Sequence, residues 1–192
     1  MNFLAHAWLS RQGDDEFLHG NLIADGVKGS RFEGWSAAAA AGIRHHRQVD
    51  AAIDSHAEVL RLRHSAPAAE RRFVGIALDL VWDHFLASRQ PDPALVKRCY
   101  RILEARRAPA RLATLVPAMI EGDWLNRYAD FNFTCRAIAG IGQRLRGENH
   151  LENLVPWLTV EYGRLERAFV ILWPDMQARF SDTPTATSHR QR

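Results

Sequence analysis

The chain has almost no cysteine, little lysine and none of the common nucleotide-binding signatures. Cys99 and Cys135 form neither a CxxC pair nor a zinc spacing. Both lie in apolar, helix-like sequence without an obvious basic partner, which predicts buried, reduced thiols and argues against a cysteine nucleophile. Lys28 and Lys97 are the only lysines, so nearly all positive charge is arginine. A formal net charge of +3 falls well short of a nucleic-acid-binding arm or stripe. Arginine suits bidentate contact with phosphate or carboxylate, so an acidic partner and a plain compositional preference both fit. No apolar run reaches the roughly 18 residues that a membrane span needs. The opening MNFLAHAWLS lacks the basic leader of a signal peptide, and the chain reads as cytoplasmic. GxxxxGK[ST], a GxGxxG after a strand, GxSxG and HExxH are all missing. A metal-activated water is the strong nucleophile that remains.

The 192 residues, 47% hydrophobic and 24% charged, fit an ordinary globular domain with a sizeable core. Helical periodicity dominates and no alternating strand runs occur. Ser36 is placed to cap an alanine-rich helix to about Ser55. A second helix is expected from near Pro67 to before Pro91, and Pro93 is placed to open a third, to about Arg107. A long apolar repeat runs from Leu151 to about Trp173, interrupted by Pro156. Turn signals fall at Gly13–Asp15, across 29–35 and at Gly147–Asn149. These features predict one all-α helical-bundle domain over 1–180. A tail of almost no apolar content, 181–192, is expected to be disordered.

Within that pattern, polar pairs recur four residues apart in apolar sequence: Asn2/His6, Asn21/Asp25, His46/Asp50 and Asp79/Asp83, the last followed by His84. Residues i and i+4 share a helix face, so each pair aims two polar groups at one point. His46 and Asp50 offer ligands for Mn²⁺, Fe²⁺ or Zn²⁺, or form a surface hydrogen bond. His45 points about 100° from His46, so the two do not share a face. The stretch LDLVWDHFL is apolar nearly all round, which predicts a buried helix. Its carboxylates then need a cation, or an arginine such as Arg44, Arg47, Arg71 or Arg72. Asp25 is either a ligand or a helix-end backbone acceptor, and His6 either a ligand or a satisfied core residue. A bundle can bring such groups from separate helices to one metal.

MNFLAHA, GNLIADGVKG, GIRHHRQVD, LDLVWDHFL and the weaker WLNRYADFNF resemble the acyl carrier protein phosphodiesterase family, and the resemblance covers nearly the whole chain. It implies a distorted HD-domain-like phosphohydrolase that removes the 4′-phosphopantetheine arm from holo-acyl carrier protein with a divalent metal, typically Mn²⁺. It makes Asp25, His46, Asp50, Asp79 and Asp83 candidate metal ligands, with His84, Asp83 and His6 as candidate catalytic groups. His84 or His6 would protonate the leaving serine oxygen or position the water. WDHFL runs Asp-then-His, the reverse of the usual HD dyad, so ligand and proton-transfer roles stay open. Arg44 and Arg47 become phosphate-holding candidates, and Asn2 and Asn21 supporting partners of the ligands. Arg61, Arg63, Arg71 and Arg72 would steer the acidic carrier. The residues alone equally admit an HD-like enzyme for a nucleotide or another small phosphodiester, or a helical binding module without activity.

Overall fold

Ser36 accepts a hydrogen bond from the Ala39 N–H at 3.1 Å and begins the longest helix of the amino-terminal half, α3 (Ala37–Asp54). The computed structural model describes residues 3–142 and 149–181. Asn2, most of the Gly147–Asn149 turn and the expected tail beyond Ser181 lie outside the described residues. Before α3 come α1 (Phe3–Leu9), α2 (Asp15–Leu22) and a single 3-10 turn, Ala24–Gly26. After it come α4 (Ala57–Ser65), α5 (Val74–Arg89), α6 (Pro93–Glu104), α7 (Leu115–Glu121), α8 (Trp124–Arg127), α9 (Phe131–Gly142), α10 (Leu154–Val160) and α11 (Tyr162–Phe180). No strand occurs among the described residues. The chain is all-α.

Local chemistry explains most boundaries. Asp14 accepts from Phe17 N–H at 2.8 Å to start α2. Asp92 does the same for Leu95 at 2.9 Å, with Pro93 in the first turn of α6, where a missing N–H costs nothing. Two expectations shift. The helix expected from Pro67 starts at Val74, after a 3-10 turn at Arg71–Phe73. The carboxyl-terminal run divides into α10 and α11 at Glu161, while Pro156 sits in the first turns of α10. A second proline, Pro174, lies inside α11.

A continuous apolar core draws on α1 through α11, and α5 passes through its middle. Trp82, Phe85 and Val81 are fully buried there. Trp82 stacks on Phe169 at 6.2 Å, Phe169 on Trp173 at 5.6 Å, and Trp173 meets Trp8 of α1 edge-on at 5.2 Å. Helices α2 and α3 approach to backbone contact. A Cβ on Gly20 would stand 2.0 Å from the Ala39 carbonyl oxygen, and one on Gly42 2.0 Å from that of Phe17. This close pair fixes the turn after α2 against the middle of α3. No helix among the described residues is long and apolar enough to cross a membrane.

Candidate metal centre

The middle of α3 presents His46 and Asp50 on one face, and α1 lays His6 directly against them. The two imidazoles stack with centroids 3.6 Å apart and planes 10° apart. His6 Nε2 lies 3.0 Å from Asp50 Oδ1, and His46 Nε2 lies 3.2 Å from Asp50 Oδ2. Asp25, on the 3-10 turn packed against α3, brings its Oδ1 within 3.3 Å of His46 Nε2. His6, His46 and Asp50 each offer a ligand atom within 4.8 Å of the others.

The donor chemistry suits a divalent cation. His46 is 4% exposed, yet neither ring nitrogen makes a well-directed hydrogen bond, and His6 Nδ1 is also unpartnered. Buried ring nitrogens without a well-directed partner are costly unless something else engages them. Two neutral nitrogens with carboxylate oxygens form an ordinary Mn²⁺, Fe²⁺ or Zn²⁺ set. Burial and the neighbouring His46 charge push the His6 pKa down to about 3, so its ring is neutral. Burial also disfavours charge on His46, but contacts with Asp25 and Asp50 outweigh it and raise its pKa to about 9. Burial opposes ionisation of Asp50 too, and its histidine contacts overcome this, holding it well below the usual carboxylate range.

A polar cavity of about 190 Å³ adjoins this cluster, lined by Asp25, Asp50, Asp54 and Asp79. Asp79 is half-buried, and desolvation raises its pKa. Asp54 is the lining residue that the pair pattern missed. It stands one turn beyond Asp50, so extending His46/Asp50 to i+8 along the same face finds it. A larger groove of about 570 Å³ between α6 and α7 contains none of these residues.

The remaining candidates sit apart from the cluster or are otherwise engaged. Asp83 accepts the Leu4 N–H at 2.9 Å and the Ala5 N–H at 2.8 Å, which anchors the amino end of α1, two residues from His6. His84 lies on the next face of α5. Its Nδ1 donates to Tyr128 O at 2.8 Å, and its Nε2 meets the Tyr162 hydroxyl at 2.8 Å, against the Phe131 ring. Asn21 contacts His45 Nδ1 at 3.1 Å and lines a small cleft with His6, Asp25 and His46. Arg47 donates to Val27 O and Gly29 O at 2.7 and 2.6 Å, bracing the segment after Asp25. Arg44 rests over the Phe32 ring at 5.0 Å.

Residues 1–176 match the family model described as acyl carrier protein phosphodiesterase. The chain is 32% identical over 188 residues to a protein of that name from Photorhabdus laumondii, covering 93% of this chain and 94% of the relative. It is 33% identical over 190 residues to a protein of the same name from Escherichia coli O157:H7, covering 94% and 98%. No solved structure matches.

Proposed function

The chain belongs to the acyl carrier protein phosphodiesterase family, and from that membership we propose that it hydrolyses the diester joining 4′-phosphopantetheine to the serine of holo-acyl carrier protein, returning the apo form. The observation that carries the reading is the meeting of His6, His46 and Asp50 from two helices at one point, with a carboxylate-lined cavity beside it. Residues 1–180 act as one cytoplasmic catalytic domain, a distorted relative of the HD-domain phosphohydrolases.

His6, His46 and Asp50, with Asp25 beside them, would hold a divalent cation, Mn²⁺ being the proposed ion, and Asp79 faces the same space. Such a cation supplies charge neutralisation at the phosphoryl oxygens and a water of lowered pKa. The chain's own groups do the rest. Asp25, ionised and partly open to solvent, accepts the proton of the attacking water. Asp79, whose pKa desolvation raises, is placed to give a proton to the departing serine oxygen. Asp83 acts one step removed, by fixing α1 and with it the His6 ring.

Incubation with holo-acyl carrier protein and Mn²⁺, read by intact mass, tests this. We expect loss of the phosphopantetheine mass, abolished by chelator and by Asp25→Ala. An unchanged carrier mass would remove the substrate assignment, and cleavage of small diesters alone would favour an HD-like enzyme of other specificity.

A further inference from the structure

Four carboxyl groups line the cavity, so a cationic side chain beside it would help a bound cation to draw in a phosphodiester. The arginines near the site have mostly settled elsewhere. Arg47 grips two carbonyls of the 27–29 segment, Arg44 lies over Phe32 and Arg61 pairs with Glu58. Arg71 donates to Ala66 O, and Arg72 rests on its neighbour Phe73. Arg63 of α4 is different. Its Nη1 is 3.3 Å from Asp54 Oδ1, a carboxylate of the cavity itself, and the side chain is one-third exposed.

The backbone makes room for this side chain. At Gly75, in the first turn of α5, a Cβ would stand 2.9 Å from Arg63 Nη2 and 3.6 Å from Cζ. Glycine therefore lets the guanidinium approach the start of α5 through Nη2, with Nη1 towards Asp54. A planar fork held against Asp54, one of the cavity's lining carboxylates, matches the two non-bridging oxygens of a phosphodiester. The Asp54 contact is partly solvated, so an anion can compete for that edge at small cost.

We propose that Arg63 is the phosphate-holding residue of this site, seated by Asp54 and by the missing side chain at Gly75. The assignment rests on the phosphodiester reading above and takes over the part that the sequence alone suggested for Arg44 and Arg47.

Inorganic phosphate is the probe. Titrated by calorimetry into the Mn²⁺-loaded protein, it should bind wild type and bind Arg63→Met roughly ten- to a hundredfold more weakly, the loss expected for one or two charge-assisted hydrogen bonds. Arg63→Lys should recover part of the affinity. Gly75→Ala, which keeps the charge and moves only the guanidinium tip, should lose a few-fold. With holo-carrier as substrate, Arg63→Met should raise KM more than it lowers kcat. Equal phosphate affinity in wild type and Arg63→Met would overturn the assignment, as would no phosphate binding by wild type. Phosphate binding through Arg63 without any diester cleavage would leave this seat standing and refute the reaction.

Discussion

Asp50 serves two stacked histidines at once, one oxygen 3.0 Å from His6 Nε2 and the other 3.2 Å from His46 Nε2. The carboxylate thereby ties α1 to α3 at the centre of the proposed metal site.

Removing that carboxylate should therefore do more than delete one ligand. Substitution of groups that merely support metal ligands costs about 10–100-fold in affinity, so Asp50→Ala should exceed about a hundredfold. Equilibrium dialysis with Mn²⁺ reads the loss. Affinity within a few-fold of wild type would mean that the cluster is not the site.

Metal binding should release close to one proton per ion near neutral pH. His46, raised to about 9, is protonated there and must lose its proton to ligate, whereas His6, lowered to about 3, has none to lose. Affinity should then climb from pH 7 to about 9 and level off. The metal-free protein should move the other way. A raised histidine pKa contributes stability that is complete below about 6.5 and is lost as pH rises through about 9. Calorimetry in buffers of different ionisation heat counts the proton, and His46→Gln should flatten the melting trend across that window. Heat of binding that is independent of buffer would contradict the assignment.

Asp83→Ala should act on stability first. It strands the Leu4 and Ala5 N–H groups in the core, at about 1–3 kcal/mol for each buried unsatisfied donor, or roughly 2–12 °C in melting temperature per donor. His84→Ala should cost less, because Tyr128 O keeps the Thr134 hydroxyl at 3.3 Å when the His84 contacts with Tyr128 O and the Tyr162 hydroxyl are lost. Mn²⁺ stoichiometry separates this from ligation: His84→Ala should keep the wild-type number of ions, and a lost ion would return His84 to the metal site.

Gly42→Ala should damage binding without touching a ligand. The new methyl collides with the Phe17 carbonyl oxygen, so α2 must retreat and carry the Asp25 turn away from His46. Overpacking of this kind costs about 1–3 kcal/mol, and more where backbone is the obstacle. A melt combined with Mn²⁺ affinity should show both falling.

Features written in neighbouring residues were readable from the sequence. Ser36 caps α3 and Pro93 opens α6 where their positions announce it, and His46/Asp50 share a face because four residues make about one turn. Periodicity could not show which face of α5 meets which partner. Asp79 and Asp83 are one turn apart, yet Asp79 lines the cavity while Asp83 takes the backbone of α1, a contact across 79 positions. Nor could it distinguish a free arginine from a committed one, since Arg47 is claimed by carbonyls 18 and 20 residues away. The stacking of His6 on His46 is likewise a product of tertiary docking. MNFLAH alone makes His6 no more than one polar residue on an apolar helix.

The edge contact between Trp8 and Trp173 also gives the protein a spectroscopic handle. Two indoles 5.2 Å apart couple their excited states, and one of them rides on the same short helix as His6. Near-ultraviolet circular dichroism of the unlabelled chain should therefore report directly whether that helix is seated, before any substrate is added.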